Sequence, residues 1–294
     1  MDFLAELARR PLVFDGAMGT QLIAAGYRPV EAPESWSVTN PGVVAGIHRA
    51  YLEAGADIIE TNTFGGTRSK LSHYHAGERA AEFNTASARL AVGVRDEVAP
   101  DKLVAGDIGP TGRMLAPMGD ASPAELRDDF AEQAEALLAG GVDLIGMTTF
   151  FDLEEAKAAV QGARAMSGSV PIAVSLAYKP SPRGFRTMMG VSPAQAVGAL
   201  LEAGADVVGA NCEVTAEEMV ALVPVLRSAT DAPLIFQPNA GQPHLQEGHT
   251  VYAETPERFA SFMPAIVAAG ANVVGGCCGT TPAHIAALAA AVRA

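Results

Sequence analysis

The sequence predicts an α/β fold, a (β/α)8 TIM barrel in which residues 1–294 form a single domain. Three observations predict it. First, one phrase recurs. Glu53-Ala-Gly-Ala-Asp57, Ala139-Gly-Gly-Val-Asp143, Glu202-Ala-Gly-Ala-Asp206 and Ala268-Ala-Gly-Ala-Asn272 each close an alanine-rich helical stretch and open a short apolar run. Second, eight such runs alternate with helical pattern along the chain. Short, continuously apolar strands separated by helices imply a parallel sheet covered on both faces. Third, polar residues gather where each run ends, on the side a barrel uses for function. An open doubly wound sheet is the runner-up.

The runs are taken in order. Leu12-Val-Phe-Asp15 is the first strand and ends at Asp15-Gly16. Ile58-Ile-Glu60 follows the first recurring phrase and ends at Glu60-Thr-Asn62. Leu103 to Asp107 is the third, followed by Ile108 and Gly109. Leu144-Ile-Gly146 leads to Thr148 and Thr149, and Ile172 to Leu176 contains Ser175. Val207-Val-Gly209 runs to Asn211 and Cys212, and Leu234 to Gln237 runs to Asn239. Val273-Val-Gly275 runs to Cys277 and Cys278. The glycine of each recurring phrase suits a left-handed helix C-cap. The Pro- and Gly-bearing stretch from Tyr178 to Val191 reads as a long loop over the barrel mouth.

Composition narrows the function. A hydrophobic content of 49 % supplies a sizeable core, and no apolar run reaches membrane-spanning length uninterrupted. The amphipathic start, Met1 to Arg10, carries acids and lacks the basic and apolar regions of a signal peptide, so a cytoplasmic location is expected. A formal net charge of −13 with no basic run disfavours nucleic-acid binding. Three cysteines, two of them adjacent, argue against a disulfide framework.

Those cysteines, Cys212, Cys277 and Cys278, lie at the ends of two strands of similar local sequence. Taken singly, each reads as a small buried hydrophobe. Taken together they read as one cluster holding a thiophilic metal, with Zn2+ the best match. Three thiolates leave a fourth tetrahedral position open, which marks a catalytic site. Such an electron-rich centre is a poor activator of water and a good carrier of a fourth thiolate, so it suits S-alkylation. The histidines offer no rival site: His73 and His75 lack a convergent third ligand, and His48 and His284 sit in helical pattern as surface or packing residues. No Ser-His-Asp arrangement or P-loop is present.

Phe14-Asp-Gly-Ala-Met-Gly-Thr-Gln-Leu22, Glu60-Thr-Asn-Thr-Phe-Gly65, Gly106-Asp-Ile-Gly-Pro-Thr-Gly112, Gly209-Ala-Asn-Cys212, Gln237-Pro-Asn-Ala-Gly241 and Gly275-Gly-Cys-Cys-Gly-Thr-Thr281 resemble the homocysteine S-methyltransferase family, from about Leu12 to His284. The resemblance is nearest to the homocysteine-binding module of cobalamin-dependent methionine synthases. It implies a zinc-containing (β/α)8 barrel that methylates homocysteine to methionine, with Cys212, Cys277 and Cys278 as zinc ligands. It implies that Asp15 and Gly16 bind the amino-acid end of the substrate, and that Asn239 lies near zinc and fills its open position when no substrate is bound. A separate methylcobalamin-carrying corrinoid protein is the implied partner and methyl donor. One departure stands out. The family usually has Glu-Thr-Phe after the fourth strand, its glutamate meeting the substrate ammonium; here Met147-Thr-Thr-Phe150 puts Thr148 in that place. Either another acid substitutes, Glu60 being favoured over Asp152, or the acceptor is a different thiol. A non-catalytic zinc and thiol-binding subunit is the reading from another class.

Overall fold

The computed structural model describes residues 1–246 and 249–294. Eight parallel strands form its main sheet: β1 (Leu12–Val13), β2 (Ile58–Glu60), β3 (Leu103–Ile108), β4 (Leu144–Phe150), β5 (Ile172–Leu176), β6 (Val207–Thr215), β7 (Leu234–Asn239) and β8 (Val273–Val274). Neighbours in the sheet are neighbours in sequence, and β8 returns to pair with β1 through Leu12 and Val273. The remaining seam, between β1 and β2, is closed by a parallel bridge from Phe14 to Ile58. Asp57 N–H donates to the Val13 carbonyl at 2.7 Å and Asp15 N–H to the Ile58 carbonyl at 3.0 Å across it. The sheet is therefore a barrel, not the open alternative. The first and last strands are shorter than the apolar runs suggested, although Phe14, Asp15 and Gly275 still donate to Val274, Ile58 and Phe236 of the neighbouring strands.

Residue parity explains why the strands read as continuously apolar. Leu12, Phe14, Ile58, Leu103, Ala105, Leu144, Ala173, Val207, Ile235 and Val273 form one buried cluster inside the barrel, plugged by Phe3 and Leu7 of the N-terminal helix Phe3–Leu7. The alternate residues, among them Val13, Ile59, Val104, Ile145, Val174, Val208 and Val274, join a larger cluster under the surrounding helices. Successive strand side chains face opposite sides, so both sides of every strand are buried.

The recurring phrases act at the base of the barrel. Gly55, Gly141, Gly204 and Gly270 have φ of 99°, 93°, 111° and 113°, the left-handed C-cap expected. The acid or amide that follows reaches the start of a neighbouring strand. Asp57 accepts from Val13 N–H at 3.0 Å, Asp143 from Val104 N–H at 2.8 Å, Asp206 from Ile172 N–H at 2.8 Å and Asn272 from Leu234 N–H at 3.0 Å. Each satisfies a backbone donor that the parallel ladder leaves open. The loop after β5 folds back on itself through a Lys179 to Arg186 bridge, and Lys179 pairs with Glu213 of β6 at 2.8 Å. No helix is long and apolar enough to cross a membrane among the described residues.

Candidate active site

The inward parity of the strands continues upward into polar residues. Ile58 is followed two places on by Glu60, Ala105 by Asp107, Gly146 by Thr148, and Ile235 by Gln237 and Asn239. The apolar interior thus gives way, one layer higher, to carboxyls, amides and sulfur. Above that layer opens a cavity of about 520 Å³, lined by Glu60, Asp107, Thr148, Gln237 and the three cysteines among others.

The cysteine Sγ atoms all lie within 4.8 Å of one another, the only such metal-capable cluster among the described residues. Cys212 Sγ and Cys278 Sγ are 3.8 Å apart. Four ligands placed tetrahedrally at about 2.3 Å from Zn2+ would stand about 3.8 Å apart, the separation of Cys212 and Cys278. The crowding also redistributes protons. Hydrogen bonds from Cys212 and Cys277 pull the Cys278 thiol down to about 3, and the Tyr252 hydroxyl adds to the effect. Cys277 is pushed the other way by its bonds to the same two sulfurs and by burial.

Backbone kinks aim these sulfurs. Cys212 and Glu213 both have φ of 58°, and Thr149 has φ of 62°, a left-handed conformation rare for such residues. They coincide with register breaks in β6 and β4. Asn211 locks the two kinks together. Its Oδ1 accepts from Thr149 N–H at 2.7 Å, and its Nδ2 donates to Thr149 Oγ1 at 2.7 Å and to Cys277 Sγ at 3.6 Å. Cys212 therefore sits inside β6 at a bend rather than at its last residue. On the other side, Thr280 is wedged between Gly16 and Gly276, where an added Cβ would come within 2.6 Å of its Oγ1. Thr280 accepts from Ala17 N–H at 3.0 Å and donates to the Cys277 carbonyl at 2.7 Å, tying the β1 loop to the cysteine loop.

Beside the sulfurs, Asp15, Glu60 and Asp107 form a buried acidic wall. Asp15 Oδ2 accepts from Glu60 N–H at 2.9 Å, while Asp15 Oδ1, Glu60 Oε1, Gln237 Oε1 and Asn239 Oδ1 are buried without a hydrogen-bond partner. Burial, with the neighbouring acids, pushes Asp15 and Glu60 far above the usual carboxylate range and Asp107 to about 7. Thr148 donates from Oγ1 to Asp107 Oδ1 at 2.8 Å.

The chain that carries this site has known relatives. Residues 12–292 match the homocysteine S-methyltransferase family. The chain belongs to that family. It is 37 % identical over 305 residues to a methionine synthase of Mycobacterium tuberculosis, which it matches over 99 % of its own length and 25 % of the relative's. A Mycobacterium leprae methionine synthase is 36 % identical with the same coverage, so the chain spans about a quarter of the length of these curated relatives. Among solved structures, the metallated form of the homocysteine methyltransferase MmuM from Escherichia coli superposes with a TM-score of 0.83, 27 % identity and full coverage of both chains. The apo form of the same protein gives 0.76.

The residues read from sequence as members of this family's site lie together. Cys212, Cys277, Cys278, Gly16, Glu60 and Thr148 line the cavity; Asp15 is buried behind it, bonded to the Glu60 N–H, and Asn239 is buried at the end of β7. His73 and His75 join no metal-capable cluster among the described residues. His48 is fully buried, its ring held near 4 by burial alone, and is a packing residue. Asp107, Asn211 and Gln237 also line the cavity, and Tyr252 and Thr280 stand beside the cysteines; motif reading assigned none of them a role. Inward parity from Ala105 and from Ile235 would have pointed to Asp107 and Gln237. Tyr252 carried no sequence signal, because it reaches Cys278 from beyond the ribbon of His244–Gln246 and His249–Val251.

Proposed function

We propose that this chain is a zinc-dependent S-methyltransferase that converts homocysteine to methionine, taking the methyl group from a methyl-corrinoid protein. The observation that carries the reading is the cluster of three sulfurs, close enough to share one ion, on a cavity that carboxyls with unpartnered oxygens also border. Cys212, Cys277 and Cys278 would hold the ion, which when bound keeps a substrate thiol in its thiolate form.

The chain's own residues supply the rest. Asn211 and Thr280 fix the cysteines in place, so the ion site is formed before substrate enters. The acidic wall receives the substrate ammonium, and the Asp15 and Gly16 segment receives the amino-acid end. Asn239, with a buried unpartnered Oδ1, is placed to approach the open metal position when the cavity is empty. With both ends held, the thiolate faces the mouth, where the methyl group arrives. A sulfur–carbon bond forms as the donor–carbon bond breaks, and the bonding pair leaves with the donor. The two methionine synthase relatives support this acceptor. The corrinoid donor follows from the motif resemblance to the cobalamin-dependent branch.

The test is a donor screen on zinc-loaded protein, with homocysteine as acceptor and methylcobalamin, betaine or S-methylmethionine as donor. Methionine formed from methylcobalamin is expected. Turnover with S-methylmethionine alone would replace the donor, and no methionine from any of them would overturn the assignment.

A further inference from the structure

We propose that Asp107 is the principal carboxylate receiving the substrate ammonium, with Glu60 beside it, and that Thr148 is the positioning residue that aims Asp107. The proposal rests on the reading of the site as an amino-acid thiol site and names the residues that decide its specificity.

The geometry sets Asp107 apart within the acidic wall. Its backbone is fixed on both sides: Asp107 N–H donates to Thr61 Oγ1 at 3.0 Å, and its carbonyl accepts from Thr63 Oγ1 at 2.7 Å. Its one side-chain partner among the described residues is Thr148, whose Oγ1 donates to Oδ1 at 2.8 Å. That leaves Oδ2 without a side-chain partner, on a residue that lines the cavity. Asp15 also keeps one oxygen free, its other accepting from the Glu60 N–H, but it is not among the residues that line the cavity. Thr148 occupies the position where the motif resemblance leads one to expect glutamate. Its hydroxyl is too short and uncharged to meet an ammonium, but it is the right length to steer a carboxylate one strand away.

Charge points the same way. Three acids converge here from β2, β3 and the β1 loop, and Glu34 adds its field to Asp107. Lys70 is the one cation lining the cavity among the described residues, and it acts on Glu34 and Glu155 instead. A buried acidic wall with no cation of its own is complementary to one brought by a ligand. The neighbouring Glu60 Oε1, Gln237 Oε1 and Asn239 Oδ1 are further acceptors without donors, so an ammonium group with three N–H bonds to place would find several partners.

The experiment compares homocysteine with its deamino analogue, 4-mercaptobutyrate, by calorimetry on the zinc-loaded full chain. Wild type should prefer homocysteine. Asp107→Asn, a near-isosteric change, should weaken homocysteine by at least about tenfold while moving 4-mercaptobutyrate by no more than about twofold, with zinc content unchanged. Thr148→Val should lower homocysteine affinity less, again sparing the analogue. Adding Thr148→Glu to Asp107→Asn should recover much of the loss, because a carboxylate then returns to the wall from β4. Equal weakening of both thiols would mean that Asp107 only supports the cavity and would overturn the proposal. So would unchanged discrimination in Asp107→Asn, which leaves the thiol-site reading standing. A wild type that binds neither thiol sinks both.

Discussion

Cys212, Cys277 and Cys278 each contribute one sulfur to a cluster whose members all lie within 4.8 Å of one another, and two remaining thiolates make an incomplete site. Replacing any one with alanine should therefore reduce bound zinc from about one per chain to a small fraction, with methyl transfer lost in parallel; metal analysis after desalting checks this, and full zinc in all three variants would refute the ligand set. A second residue-scale prediction concerns pH. Burial raises Asp107 from about 3.8 unfolded to about 7 folded. Between those values the folded protein holds a proton that the unfolded chain has released, so this group's contribution to stability falls as pH rises through the window. The urea midpoint of substrate-free protein should drop between pH 5 and 8, and Asp107→Asn should flatten that slope. Binding has the opposite sign, because only ionised Asp107 attracts an ammonium. Homocysteine should gain on 4-mercaptobutyrate as pH rises through about 7, a comparison in which thiol ionisation cancels. Asp15, Glu60 and Glu34 face the same space and broaden the transition.

At the scale of elements, β6 and β7 carry Cys212 and Asn239 and must lie close. Gly209 of β6 has its missing Cβ directed into the Ile235 carbonyl of β7, with no room for a methyl group. Gly209→Ala must push the two strands apart. A loss of about 1–3 kcal/mol of stability is expected, as for other overpacked cores, and zinc affinity should fall too because Cys212 moves with β6. Unfolding titration and competition with a chelator would detect both; normal zinc affinity with normal stability would show that the strands need no such approach. The base of the barrel depends on Asp57, whose carboxylate meets Arg10 at 2.9 Å, Lys102 at 2.9 Å and Arg293 at 3.1 Å as well as Val13 N–H. These contacts join the N-terminal segment, β1, β3 and the last helix, Pro282–Arg293. The hydrogen bond from Arg10 leads in holding this carboxyl below the usual range against the cost of its burial. Asp57→Ala leaves the buried Val13 N–H without its side-chain acceptor, while the partly exposed cations can turn to water, and should cost about 1–3 kcal/mol in urea unfolding. That cost should shrink in acid, where wild-type Asp57 also loses its charge.

For the whole molecule, the sequence by itself determined the architecture. The helix, glycine, acid and apolar run, recurring four times with four further apolar runs between, marked eight β/α units, because the signals are local: a C-capping glycine and a strand short enough to be buried on both faces act within a few residues. The three sulfurs were legible for a related reason, since a barrel brings the ends of all its strands to one face and cysteine is used nowhere else in the chain. Only the tertiary structure decided what faces what. The carboxyl that stands next to Thr148 is Asp107, 41 residues away and one strand over, held by a hydroxyl that looked in the sequence like a loss. Asn211 joins two kinked strands to Cys277, and Tyr252 arrives at Cys278 from beyond the seventh strand. Such contacts depend on strand register and on left-handed bends at Thr149 and Cys212, which are set by packing across the barrel and leave no periodic trace along the chain.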